Sequence, residues 1–294
     1  MIKNSINVDM RDENGNTALM IAAREGLLKV INILASPDIE QVLNLVLKWK
    51  KDDQKLSKQN VQQWIYDCYT ADVNARNTKC ETALMFATKM GHYGIAKWLI
   101  GAGANVDARD IDEKTPLMIA AENYQVSIAK LLIEADADID AISKIKENHI
   151  GIREGGESVL LISIKNNGGT DIAKLLIDAG ADINHRDKDG TTPLILVVKK
   201  GSTDIVKWLL RKGADVNATV KKIPPLFYVI DNNYINIVKL LIDAKSDINI
   251  ITRHRCDSFD GKRSVTKHVR ESMLETANRK KLYEIIDLLT NTIK

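Results

Sequence analysis

The side chains that could do chemistry in this chain are dispersed, and their spacing matches no known catalytic or metal-binding pattern. His254, Cys256 and His268 lie closest together, and histidine and cysteine are common zinc ligands. Their spacing fits no zinc motif and a fourth ligand is missing, so we expect no metal there. The sequence also contains no phosphate-binding loop, nucleophile elbow or zinc-protease motif. We therefore predict a protein that is not an enzyme and that uses no cofactor.

The element that must position any functional side chain is best seen in residues 181–218. The segment Asp187–Gly190 has the composition of a tight turn. Thr192 and Pro193 then suit the N-cap and the first position of a helix. Gly201 ends that helix, and a second amphipathic helix follows. A turn with two short helices cannot bury its apolar faces alone, so the sequence predicts that such units stack on copies of themselves.

Copies of this unit recur along the chain. Each copy begins with a triplet similar to Thr-Pro-Leu, and the triplets follow a period of about 33 residues with three larger additions. The apolar pattern of the second helix repeats with them. Seven such triplets are found, and they start at Thr17, Thr82, Thr115, Ser158, Thr192, Pro224 and Ser272.

The repeated pattern resembles the ankyrin repeat family, and the resemblance covers residues 8–290 apart from the insertions. It implies an all-α fold, an ankyrin-repeat solenoid of seven helix-turn-helix units with short β-hairpin fingers, in one domain over residues 1–294. The family's histidine after the triplet is absent from every unit. We expect its apolar replacements to fill the core rather than to form a binding stripe; they are Met20, Met85, Met118, Leu161, Ile195 and Phe227.

Three insertions interrupt the period. Residues 39–70 keep helical spacing of apolar residues and are either a helical insertion or a degenerate repeat, which would be an eighth unit. Residues 142–157 and 251–271 lengthen two turns that form fingers in ankyrin proteins. They are extended finger loops that either bind a partner or are simply solvated. Residues 272–294 have a polar outer face, as a C-terminal capping repeat requires.

The position just after each second helix also varies. It is Gly213 in one unit, but Asp136 and Lys245 occupy it in two others. If this position is left-handed, each of these two side chains costs about 1 kcal/mol of strain.

The resemblance implies that the protein binds a partner protein through the concave surface formed by fingers and first helices. We predict an acidic segment in that partner, because lysines cluster in the fifth and sixth units. Glu13, Asn14 and Arg24 are further contact positions in the first unit. The main candidate contact residues are Lys79, Lys89, Asp112, Glu122, Lys165, Lys188, Lys199, Lys200, Lys221, Lys222, Asp231, Arg253, Arg255, Lys262 and Arg263.

Charge and composition narrow the alternatives. A binder of nucleic acid or of acidic surfaces would use the C-terminal basic residues, but the net charge is only +3 and aromatic residues make up 5% of the chain. No apolar run is long enough to span a bilayer. We expect a monomer in the cytoplasm. The bias toward Ile, Lys and Asn suits a low-GC bacterium, in which case delivery into a host cell as an effector is the other expected location.

Overall fold

The computed structural model describes residues 11–27, 72–144, 146–147, 153–154, 156–166, 170–259 and 264–293. The chain divides into two compact units, residues 1–143 and residues 144–294. The segment 39–70, for which the sequence left two interpretations open, lies outside the described residues. None of the described helices is long and apolar enough to cross a membrane.

The first unit consists of short helices that pack in pairs. First helices stack on first helices, since α2 contacts both α1 and α4, and the second helices α3 and α5 contact each other. Within each repeat, α2 packs on α3 and α4 packs on α5. The described helices of this unit are α1 (Ala18–Glu25), α2 (Ala83–Met90), α3 (Tyr93–Gly101), α4 (Pro116–Glu122) and α5 (Val126–Glu134).

The second unit repeats this arrangement with four helix pairs and two hairpins. Its first helices α6, α8, α10 and α12 stack in chain order, and so do its second helices α7, α9, α11 and α13. The elements are β1 (Lys146–Glu147), β2 (Arg153–Glu154), α6 (Val159–Lys165), α7 (Thr170–Asp178), α8 (Pro193–Lys200), α9 (Thr203–Arg211), α10 (Pro225–Asp231), α11 (Ile235–Asp243), β3 (Thr252–Phe259), β4 (Ser264–Glu271), α12 (Met273–Arg279) and α13 (Tyr283–Ile293). The predicted helical repeat architecture is confirmed, whereas the total number of repeats stays a prediction.

Each first helix begins where the sequence places it. Thr192 is the N-cap of α8, and its Oγ1 accepts a hydrogen bond from the Ile195 amide at 3.3 Å. Pro193 occupies the first helical position, where its missing amide hydrogen costs nothing. Only Pro224, before α10, lacks a side-chain cap among the described first helices. Equivalent hydroxyl caps are Thr17, Thr82, Thr115, Ser158 and Ser272.

The apolar residues that replace the family histidine lie in the core. Met20, Met85 and Met118 are at most 2% exposed, and Phe227 is 4% exposed. The expectation that these side chains fill the core is confirmed. Burial of a side chain of this size contributes roughly 1.5 to 3 kcal/mol, so the stack is held mainly by apolar packing at these positions.

The ends of the second helices are left-handed, as predicted. Asp136 and Lys245 have φ values of 59° and 65°, and Gly213 at the equivalent position has a φ of 91°. A side chain added at Gly213 would meet no atom within 4 Å. The strain at Asp136 and Lys245 comes from their left-handed backbone conformation.

Two antiparallel hairpins occupy the finger positions before α6 and α12. In the shorter one Lys146 pairs with Glu154 and Glu147 pairs with Arg153. In the longer one all eight residues of β3 pair with β4, from Thr252 with Glu271 to Phe259 with Ser264.

Candidate functional site

The fingers of the first unit are tied to one another by arginine side chains. The Arg76 guanidinium donates to the carbonyl oxygen of Cys80 in its own finger at 3.3 Å and to that of Arg109 in the next finger. Arg109 in turn donates to the Ile142 carbonyl at 3.1 Å. These arginines were not predicted as functional, although an Arg before Asp or Asn recurs in four fingers, at Arg11, Arg76, Arg109 and Arg186.

Asparagine side chains tie the fingers to the helix ends in the same way. The Asn74 side chain donates to the Gly103 carbonyl at 3.1 Å and accepts from the Asn105 amide at 2.7 Å. In the second unit Asn184 accepts from the Asp215 amide at 2.8 Å. These bonds tie the fingers that carry Asn74 and Asn184 to their neighbours before any partner arrives.

The candidate residues of the first unit are largely engaged in local contacts. The Lys79 amide and carbonyl are both bonded, to the Asn77 side chain and to the Ile111 amide, each at 2.9 Å. Glu122 forms an ion pair with Lys114, with 2.5 Å between Oε1 and Nζ. Asp112 is half-buried and Lys89 is exposed. These four candidate residues include two lysines and two acidic residues.

The second unit brings two predicted lysines, Lys199 and Lys221, close to each other, and an aromatic ring lies beside Lys199. The Lys199 Nζ lies 4.3 Å from the centre of the Tyr228 ring, a distance at which an ammonium is attracted to the ring face. Partial burial lowers the pKa of Lys199 below its usual value, and the charge of Lys221 lowers it further, while Asp187 and Asp189 act in the opposite direction. Lys199 and Lys221 are therefore close enough to repel each other. Lys188 is half-buried in the adjoining finger.

The other candidates of this unit already have partners. Lys200 donates to the carbonyl oxygen of Lys165, and Lys165 forms an ion pair with Glu157. Burial lowers the pKa of Lys200. Asp231 is paired with Lys280, with 2.6 Å between Oδ1 and Nζ.

The finger between α9 and α10 has an unusual turn at its tip. Lys221 and Lys222 have φ values of 50° and 67°, and the flanking residues Val220 and Ile223 exchange backbone hydrogen bonds of 3.0 and 2.9 Å. Two successive positive φ values are typical of a type I′ turn, which strongly favours Asn-Gly. Two exposed lysines therefore occupy positions where their backbone is strained.

The remaining candidates lie in or near the longer hairpin. Arg253 and Arg255 lie in β3, whereas Lys262 and Arg263 lie outside the described residues. The register pairs His268 with Arg255. Since successive strand residues alternate between faces, His254 and Cys256 lie on one face and His268 on the other.

Family models match most of this chain. A model of ankyrin repeats in three copies matches residues 54–143 and 160–252, and a single ankyrin repeat model matches residues 14–42. No curated protein sequence matches significantly.

Solved structures show the same fold at low sequence identity. The crystal structure of the ankyrin repeat domain of Bcl-3, described as a unique member of the IκB protein family, has a TM-score of 0.61 and is 21% identical. That match covers 95% of this chain and 100% of the other. The human ASB11 ankyrin repeat domain has a TM-score of 0.58 at 20% identity, covering 93% of this chain and 98% of its own. At these identities the likeness shows the fold alone.

Proposed function

Because the chain belongs to the ankyrin repeat family, we propose that it is a non-catalytic module that binds an acidic segment of a partner protein. Ankyrin repeat domains are protein–protein interaction modules. The proposed binding surface consists of the finger turns and first helices of residues 144–294. It is centred on a lysine cluster, which we define as Lys188, Lys199, Lys221 and Lys222.

The observation that carries this proposal is that several residues of the lysine cluster reduce the stability of the fold. Burial disfavours the charged form of Lys199 and Lys221 repels it, while Asp187 and Asp189 offset these effects only in part. The turn residues Lys221 and Lys222 are strained, by about 1 kcal/mol each. Asparagine and glycine would remove both the repulsion and the strain. An anionic ligand offsets part of these costs, because it adds to the negative charge that Asp187 and Asp189 already place near Lys199.

A carboxylate-rich protein segment suits the cluster in its chemistry. Tyr228 provides an apolar surface beside Lys199, and partner side chains can pack on its ring while their carboxylates bind the ammonium groups. Exposed lysines also attract an acidic partner over a distance of about 8 Å at physiological salt. We therefore expect the cluster to raise the association rate more than it lowers the dissociation rate.

The proposal extends to the setting in which the protein acts. We propose a monomer that acts as a scaffold in the cytoplasm, or as an effector in a host cell if the source is a bacterium that delivers proteins. The compositional bias toward Ile, Lys and Asn supports the second setting. Fractionation of cells that express the tagged protein distinguishes the two locations.

Charge reversal tests the proposed surface. We expect Lys199→Glu/Lys221→Glu to slow association with a partner captured from lysate by about tenfold and to weaken its salt dependence. The matched control is Lys207→Glu/Arg211→Glu, which changes the net charge equally on the exposed side of α9. Equal association rates for the parent and the Lys199 variant, measured from low to high salt, would rule out the lysine cluster as the binding site.

A further inference from the structure

The longer hairpin places its basic residues on one face. Because paired residues share a face and neighbours alternate, the register puts Arg253 opposite Arg270 and Arg255 opposite His268 on the same face. Asp257 is the acidic residue at a register position on this face. We call these five positions the arginine face. On the other face, by contrast, one lysine (Lys267) is balanced by one glutamate (Glu271).

This pairing is unfavourable for the hairpin by itself. Like charges directly opposite each other on neighbouring strands are destabilising, and the arginine face has one such pair, Arg253 with Arg270. A two-stranded sheet is also only marginally stable alone in water. Added negative charge would relieve the first weakness, and further strand hydrogen bonds would relieve the second.

The hairpin also offers an edge for such an addition. The sheet consists of β3 and β4 alone, so the outer edge of each strand lacks a strand partner within the residues that the structure describes. Each edge is eight residues long, which is longer than a typical strand of about five or six residues. Extended peptides bind to such edges through main-chain hydrogen bonds, and their alternate side chains give specificity.

We propose that the outer edge of β3 binds an extended partner segment with acidic residues at alternate positions. Arg253 and Arg255 are two residues apart, which corresponds to about 6.7 Å along a strand. A peptide strand added to this edge repeats its side chains with the same spacing and on the same face. Alternate carboxylates therefore match the two arginines in register. The inference rests on the proposed function, since it specifies the conformation and charge pattern of that acidic partner.

The edge of β3 suits this segment better than the edge of β4 does. Arg253 and Arg255 both belong to β3, whereas β4 contributes Arg270 and His268 to the arginine face. The edge of β3 therefore carries two arginines and the edge of β4 carries one. A peptide also fits the site better than a nucleic acid, because only a peptide uses the backbone groups of a strand edge.

The proposal is tested by measuring how the full chain binds peptides that have the same composition but differ in the order of their glutamates. The first peptide has about eight residues, with glutamates at alternate positions. The second has the same glutamates in one contiguous block, and a third is the alternating peptide with N-methylated amides. Fluorescence anisotropy measures affinity, and amide hydrogen exchange locates the contact on β3 or β4. We expect the alternating peptide to bind about tenfold more tightly than either of the others.

Substitutions on the two faces provide the matched comparison. Arg255→Gln and Lys267→Gln each remove one positive charge, from opposite faces of the hairpin. We expect Arg255→Gln to weaken binding of the alternating peptide about threefold and Lys267→Gln to leave it unchanged. The double variant Arg253→Gln/Arg255→Gln should weaken it about tenfold.

Several outcomes overturn the inference. Equal binding of all three peptides shows attraction by charge without strand addition. Peptide binding that responds to Lys199→Glu/Lys221→Glu but not to Arg253→Gln/Arg255→Gln places the segment on the lysine cluster alone, which leaves the proposed function intact. Tighter binding of a DNA or RNA oligonucleotide than of the alternating peptide refutes both proposals. Self-association of Arg253→Gln/Arg255→Gln without peptide binding by the parent shows that the arginines only block pairing between copies.

Discussion

Two fingers of the second unit form their turns with different residues. In the finger before α8, the Asp187 Oδ1 accepts hydrogen bonds from the Asp189 and Thr191 amides at 2.9 and 2.8 Å, and Gly190 takes the left-handed position. The finger before α10 has no such side-chain acceptor, and Lys221 and Lys222 take the left-handed positions. In the first finger, the Asp187 acceptor and the left-handed Gly190 both stabilise the turn. The second departs from that chemistry where its charged residues are exposed, which is the pattern expected of a binding element.

Removal of the acceptor in the first finger should have the largest effect. Asp187→Ala leaves two backbone amides without their partner, and we expect it to destabilise the protein by about 2 kcal/mol. Asp187→Asn is the control, because an amide oxygen performs this role at Asn77 in another finger. Urea unfolding of the full chain measures both. If the alanine variant unfolds at the same urea concentration as the parent, the Asp187 hydrogen bonds do not stabilise this finger.

Replacement of the lysine turn should have an effect of opposite sign. Lys221→Asn/Lys222→Gly supplies the residues that a type I′ turn favours, and we expect a gain of about 1 kcal/mol in the free energy of unfolding. The same variant should bind the captured partner more weakly. A variant that is more stable and binds normally would show that the strained lysines have no role in binding.

The left-handed helix ends test whether strain alone produces such gains. We expect Lys245→Gly and Asp136→Gly each to raise stability by about 1 kcal/mol, with the smaller gain for Asp136→Gly because Asp tolerates this conformation better than Lys. Neither position belongs to the lysine cluster, so partner binding should not change. Thermal unfolding of the two variants checks this, and a lower midpoint for both would contradict the assigned strain.

The contact between Lys199 and Tyr228 should contribute least. Tyr228→Leu keeps apolar packing against Ile195, Ala218 and Val220 but removes the ring face, and we expect a loss of about 0.5 kcal/mol. A double-mutant cycle with Lys199→Gln isolates this contribution. A coupling energy indistinguishable from zero would mean that Tyr228 does not hold Lys199 in place.

Features that depend on neighbouring residues were predictable from the sequence. The Thr192 cap, the Pro193 start and the buried residue at Ile195 all lie within one helical turn, where side chains determine the backbone directly. The strain at Asp136 was predictable from an alignment of the repeats, because Asp136 occupies the position that is Gly213 in another repeat. The candidate site was predictable only as a set of positions. The ion-pair partner of Asp231, for example, is Lys280, which is 49 residues away along the chain.

The sequence by itself determined the repeat, its helices and their caps, because each is specified by local spacing of apolar, capping and turn residues. Only the tertiary structure decided which charged residues lie close to one another. The proximity of Lys199 to Lys221 depends on how a finger packs beside the first helix of the preceding repeat, and the arginine links between fingers depend on the same stacking. The pairing of Arg253 with Arg270 depends on strand register, which a shift of one residue would change completely. Contacts of this kind are set by geometry between segments, and no local pattern encodes them.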